Sequence, residues 1–275
     1  MMEALGFEFF RNALVAGLLV SVICGIIGSL VVVNRIVFLA GGVAHASYGG
    51  LGLAFYLGLP VLPVTTLFST CAALGMAWVT QDARERADTV IGVLWAAGMA
   101  LGIILLDLTP GYNTDLMSYL FGSILAVPDG DLLLMAGLSA LVLALAAAFS
   151  RGLLAMSFDA EFARSRGVPV RFLHFLLMAL VAVCVVMVIR VVGLILVMAL
   201  LTIPPFIAER RAGSLAGMML LSAVLSAVFC VAGLSLSYAL DLTSGATIIA
   251  VACLGFALSL LLPAGRRAKI REEAT

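Results

Sequence analysis

Charge is what this sequence has least of. Only 11% of its 275 residues are Asp, Glu, Lys or Arg, while 64% are hydrophobic. A soluble domain carries about 25% charged and about 45–50% apolar residues, so a water-soluble globular protein is excluded. The mean hydropathy of +1.25 points the same way. The formal net charge is zero, which removes any bulk attraction to nucleic acid. The five cysteines, Cys24, Cys71, Cys184, Cys230 and Cys253, are dispersed through apolar runs. Without a CxxC pair or a Cys/His cluster they support neither a zinc cage nor a disulfide framework, and they read as small buried hydrophobes. There is no GxxxxGK[ST] phosphate loop, so nothing in the chain is equipped to hydrolyse ATP. An HExxH or a paired nucleophile and base is also missing, so the chain is not read as an enzyme. The opening MMEALGFEFF places Glu3 and Glu8 where a secretory leader is basic. The first apolar segment is therefore expected to remain as a span.

What is there is a series of apolar runs cut by sparse charges. A helix needs about 20 residues to cross the hydrocarbon. Single spans fit between Arg11 and Arg35, Asp88 and Asp107, Asp131 and Arg151, Arg171 and Arg190, and Arg190 and Glu209. Residues 212–240 and 242–265 each hold one more. The interval from Arg35 to Asp82 holds two, broken near Gly58–Pro63. The spacing predicts an all-α polytopic bundle of eight or nine spans. The uncertain pair meets at Arg190, which either snorkels to an interface or marks a broken helix. Pro204 and Pro205 are expected to distort or shorten the second of that pair. Residues 116–128 are apolar but too few to cross.

Basic residues concentrate in alternate loops. Arg84 and Arg86, then Arg151, Arg164, Arg166 and Arg171, then Arg210 and Arg211, then Arg266, Arg267, Lys269 and Arg271 fall on one side of a nine-span chain. The acidic loop with Asp107, Asp115, Asp129 and Asp131 falls on the other. By the positive-inside rule the C-terminus is cytoplasmic, with Arg11 as the one discordant charge.

The segment SRGLLAMSFDAEFARSRGVPVR departs from this apolar pattern. Its acids precede its basics, and Gly167 follows. That predicts a short cytoplasmic helix starting near Ser157 or Asp159 and stopping at Gly167, with Phe158, Phe162 and Ala163 along one side. Such an element is either a solvated loop or a docking helix for a cytoplasmic partner.

His45 is one of two histidines, and no charged residue lies within nine positions of it. Gly41, Gly42, Gly49, Gly50 and Gly52 surround it. An ionisable group at membrane depth is costly and marks a functional site by default. Small residues also let membrane helices approach closely, so packing and path-lining are both open for Gly41, Gly42, Ser47 and Gly49. His174, just inside the next basic boundary, reads as interfacial.

Four stretches in order, GGVAHASYGGLGLA (41–54), DLMSYLFGSIL (115–125), FDAEFARSRGVPV (158–170) and VGLILVMALLTIPPFIAERRAG (192–213), resemble the permease subunits of the zinc/manganese/iron ABC transporters. The resemblance implies a single permease domain over residues 1–275, folded like the vitamin B12-importer class and set in the cell (inner) membrane. It implies an ATPase-docking loop at residues 151–171, carried by Phe158, Asp159, Glu161, Phe162, Arg164 and Gly167, and a cytoplasmic tail at residues 264–275. The implied partners are a cytoplasmic ABC ATPase, an extracytoplasmic metal-binding protein and a second copy of the chain. No cofactor is implied as stably bound; a divalent metal is the cargo. His45 falls on the family's metal-contact histidine, and Asp115 lies at the outer mouth.

One position departs from the family pattern. Members usually carry Asp four residues before the histidine, where i and i+4 share a helix face; here that position is Gly41. An imidazole alone suits zinc or iron better than manganese, so zinc is the expected ion, with manganese and iron as alternatives. The competing mechanism is a self-sufficient secondary transporter or channel. Proteins of that kind usually show inverted repeats and several intramembrane charges, neither of which is evident.

Overall fold

The computed structural model describes residues 7–80, 87–110, 124 and 127–261. Its helices are α1 (Glu8–Val33), α2 (Val37–Leu57), α3 (Val61–Thr80), α4 (Ala87–Asp107), α5 (Asp129–Ala148), α6 (Ser150–Phe158), α7 (Ala160–Ser165), α8 (Val170–Val192), α9 (Leu194–Glu209), α10 (Leu215–Leu240) and α11 (Ser244–Leu261). Among the described residues, eight of these are long and apolar enough to cross a membrane. The chain is thus an all-α polytopic membrane protein. The ninth expected span is α9, which has only 16 residues.

The break beside Arg190 falls three residues later than the charge pattern suggested. Helix α8 continues through Arg190 to Val192, and Gly193 then adopts φ 83° and ψ 165°. That region is essentially closed to residues with a Cβ, so glycine is what permits the chain to turn there. Pro204 and Pro205 do not end α9, which runs on to Glu209. Pro205 has no N–H to give the Leu201 carbonyl four residues back.

The contacts gather into two compact units. One comprises α1, α5, α9, α10 and α11, and α1 is its centre. Glycine and serine alternate at four-residue intervals along α1, at Gly17, Ser21, Gly25 and Ser29. This stripe admits close neighbours: a Cβ on Gly25 would meet the Ala223 backbone at 2.6 Å, and one on Gly28 would meet the Leu201 carbonyl oxygen at 2.7 Å. The carbonyl that lost its proline donor therefore lies against the glycine of a neighbouring helix. Ser21 and Ser29 donate to carbonyls one turn back, at 2.6 Å each, so their hydroxyls are satisfied without water. A small apolar core of Ile207, Phe229 and Ala252 joins α9, α10 and α11.

The other unit comprises α2, α3, α4, α6, α7 and α8 as far as Arg190. Helix α2 is central, with most of its residues buried. Gly58, at φ 65°, ends it in a left-handed turn in which Leu59 N–H reaches the Ala54 carbonyl and Gly58 N–H the Phe55 carbonyl. This pair of bonds closes a Schellman motif and reverses the chain into α3. Against α4 the register ascends, from Gly42 on Ile91 through Ala46 on Gly98 to Gly52 on Gly102, so the two helices are parallel. Large apolar side chains remain exposed on the long helices, among them Leu67, Trp78, Val93, Leu133 and Leu220. Such faces are stable only against lipid or another apolar surface.

Candidate functional site

Helix α2 delivers His45 to a site whose other members are far off in sequence. The imidazole stacks on the Trp95 indole of α4 with ring centroids 3.9 Å apart and planes 15° from parallel. Phe38, two turns before His45, approaches the same indole at 6.1 Å. The indole N–H donates to the Met99 sulfur, one turn further along α4, at 3.2 Å. The indole is therefore fixed from both ends, and its face in turn fixes the imidazole plane.

The ring of His45 is half-buried, but its Nδ1 is buried without a hydrogen-bond partner. Leaving a buried polar atom unpaired costs about 1–3 kcal/mol. Two hydroxyls on α3, Thr65 and Ser69, are in the same condition. They lie one turn apart and so share a helix face. This contrasts with Ser47, whose hydroxyl donates to the Ala44 carbonyl at 2.6 Å, and with Thr70, which donates to Thr66 at 2.7 Å. Buried polar atoms without a protein partner call for an ion, a water or a functional explanation.

The glycines near His45 are packing positions. A Cβ on Gly42 would strike Ile91, and one on Gly49 would strike Phe68 and crowd the Gly98 carbonyl. Gly41, the position of the family carboxylate, is buried on the same helix one turn before His45. Among the described residues no three His, Cys, Asp or Glu side chains come together. A holding site for zinc uses about four ligands; a single imidazole offers a contact rather than a cage.

The predicted cytoplasmic element forms as two helices. Ser157 lies inside α6, and Asp159 caps α7, its carboxylate accepting from Phe162 N–H at 2.9 Å. At the far end Gly167, at φ 80°, closes a second Schellman motif: Val168 N–H reaches the Ala163 carbonyl and Gly167 N–H the Arg164 carbonyl. Phe158 and Phe162 are 72% and 57% exposed, whereas Ala163 is 1% exposed, so the apolar stripe is the two phenylalanines and Ala163 turns inward. The Arg166 guanidinium sits 5.2 Å from the Phe162 ring centroid, and Glu161 and Arg164 are exposed beside it.

Asp107 ends α4, while Asp129 and Asp131 open α5, where an acid suits the helix N-terminus. Asp129 accepts from the Asn12 amide at 2.8 Å. Asp115 and most of DLMSYLFGSIL lie outside the described residues, as do Arg84, Arg86 and the basic tail. Trp95 and Met99 carried no motif signal; Trp95 is joined to His45 only in space, and Met99 to Trp95.

A multi-pass apolar bundle, with an imidazole inside a charge-free helix and two exposed phenylalanines on a short helix pair, has the build of a membrane permease. The model of the ABC 3 transport family matches residues 6–263, and the chain belongs to that family. An uncharacterized membrane protein of Synechocystis sp. is 51% identical over 260 residues, covering 94% of this chain and 92% of that one. The manganese transport system membrane protein MntC of Halalkalibacterium halodurans is 34% identical over 257 residues, 94% of this chain and 88% of that one. Among solved structures, PsaBC from Streptococcus pneumoniae in complex with Fab superposes with a TM-score of 0.85 at 32% identity, over 97% of this chain and 96% of that one.

Proposed function

We propose that this chain is the membrane-spanning subunit of an importer that passes a divalent transition-metal ion into the cytoplasm, driven by ATP hydrolysis on a separate subunit. The observation that carries the reading is His45: a half-buried imidazole in a charge-free helix, with one ring nitrogen buried and unsatisfied. A cation in transit would meet the part of the ring that stays exposed, while the buried nitrogen has no protein partner to hold the ring to another role. Membership of a transport family supplies the context.

The ion proposed is manganese, because relatives at 32–34% identity, among them MntC of Halalkalibacterium halodurans and ScaB of Streptococcus parasanguinis, are named as manganese systems. Zinc is the second reading, favoured by a nitrogen donor without a neighbouring carboxylate. Uptake of labelled manganese, zinc and iron by cells that depend on this permease tests both. Manganese uptake that zinc does not outcompete supports the first; zinc uptake alone would replace it with the second.

The α6–α7 element is the proposed ATPase contact, with Phe158 and Phe162 as apolar anchors and Asp159, Glu161 and Arg164 setting register. The basic loops and tail support a cytoplasmic C-terminus. A second copy of the chain would complete the path, and an extracytoplasmic metal-binding protein would deliver the ion near Asp115. Phe162→Asp is expected to weaken docking by about 2 kcal/mol, roughly 30-fold, as loss of an interface anchor does. The readout is metal transported per ATP hydrolysed, with permease abundance in the membrane measured alongside. Full coupling in this variant would remove the element from the docking role.

A further inference from the structure

We infer that Trp95 is a positioning residue for His45, and that it thereby helps set which metal ions the permease accepts. The inference rests on the reading of His45 as a contact for the passing ion.

The geometry is specific. An imidazole free to rotate presents its nitrogens in many directions, and a metal accepts them only near the ring plane. Stacking at 3.9 Å and 15° permits that plane to slide little and tilt less. The indole is itself held, by its N–H bond to the Met99 sulfur and by the flank of Phe38. The backbone beneath is equally fixed. One turn beyond Trp95, Gly98 lies so close to Ala46, the residue after His45, that a Cβ on Gly98 would meet the Ala46 Cα at 2.7 Å. Neither ring can shift by moving its helix.

The electrostatics point the same way. Indole presents the most electron-rich face of any side chain, and a cation within about 6 Å of its centroid is attracted to it. An ion bound at the edge of the His45 ring would lie beside the indole and polarise its π cloud. Gly41 leaves the helix without a carboxylate one turn away, so a π face rather than a carboxylate is the group the structure sets beside the imidazole. Such a face is soft and uncharged. It compensates a cation less than a carboxylate does, and it discriminates between ions by their coordination preference rather than by charge alone.

The test uses the complete transporter in cells, with labelled manganese and zinc. Trp95→Leu removes the face; Trp95→Phe keeps a face but loses the bond to Met99. The expected result for Trp95→Leu is a rise in KM of about two- to tenfold, the range that loss of an aromatic pair corresponds to, with maximal rate little changed and the manganese-to-zinc ratio altered. Trp95→Phe is expected to restore most of the lost affinity. Trp95 and Trp78 are the two tryptophans of the chain, so a Trp78→Phe background makes Trp95 the sole indole reporter. Adding His45→Ala there is expected to shift and brighten its emission. If His45→Ala impairs uptake while Trp95→Leu leaves KM and the ion ratio at wild-type values, Trp95 has no positioning role. Emission unchanged by His45→Ala overturns the stack itself. If neither substitution affects uptake, it is the His45 reading that fails. A Trp95→Leu protein with a lowered rate, unaltered KM and ratio, and no rescue by Phe would show a merely structural residue and overturn the inference.

Discussion

Replacing His45 with alanine is expected to reduce metal uptake about 10- to 100-fold at limiting metal, the range seen when groups that support a metal ligand are removed. The size follows from the lack of substitutes. Among the described residues no cluster of three His, Cys, Asp or Glu exists to take the ion over, and the nearest turn of the same helix offers Gly41. The substitution should leave the fold intact, because His45 makes a ring contact but Nδ1 makes no hydrogen bond that alanine would break. Deleting a buried atom that is unsatisfied is more easily tolerated than orphaning its partner. Labelled-manganese uptake, normalised to permease in the membrane, is the measurement. Wild-type uptake by His45→Ala would end the role proposed for this residue. The same assay distinguishes the two candidate ions when Gly41→Asp is added to an intact His45. A carboxylate one turn away should raise manganese relative to zinc, since manganese prefers oxygen.

The spans were legible because the membrane permits few solutions. A charge-free run of about 20 residues has to satisfy its backbone internally, and a helix does so. Arg35 and Asp107 marked real helix ends, and Asp131 fell two residues inside the start of α5, for the same reason: charges sit where water begins. The ambiguity at Arg190 had a physical cause. A long side chain can reach an interface from inside a helix, so the arginine did not have to coincide with the break, and the residue that permits the turn is Gly193. The capping of α7 by Asp159 and the stop at Gly167 were readable because both are local, involving residues three to five apart. The inward turn of Ala163 was not, since a six-residue helix has too few positions to define a stripe. His45 stood out on cost alone. Its partner Trp95 did not, because 50 positions separate them and no periodicity links one helix to another. What joins them is the parallel crossing of α2 and α4, which is invisible until the glycines of both are seen to face each other.

That crossing is where a single methyl group should do the most structural damage. A Cβ built on Gly102 would overlap the Tyr48 carbonyl and come within 3.0 Å of the Gly49 nitrogen, and one on Gly52 would overlap the Gly102 backbone. These are backbone atoms, which cannot swing aside as a side chain does. Gly102→Ala therefore forces α2 and α4 apart, at about 1–3 kcal/mol for an overpacked contact, and Gly102→Val more. In lipid there is no water to drive the helices back together; packing itself supplies the association. The control lies on the same helix. Among the described residues nothing approaches within 4 Å of a Cβ on Gly92, so Gly92→Ala should be neutral, or stabilising by up to about 1 kcal/mol through helix propensity. Thermal unfolding of the purified permease in detergent or nanodiscs reads the difference directly. Gly102→Ala is expected to melt well below wild type and Gly92→Ala at or above it. Because the crossing also holds Trp95 against His45, Gly102→Ala should lose the indole's response to His45 before the protein unfolds. Equal stability of the two variants would mean that the helices do not meet backbone to backbone, and the register that places Trp95 over His45 would fall with it.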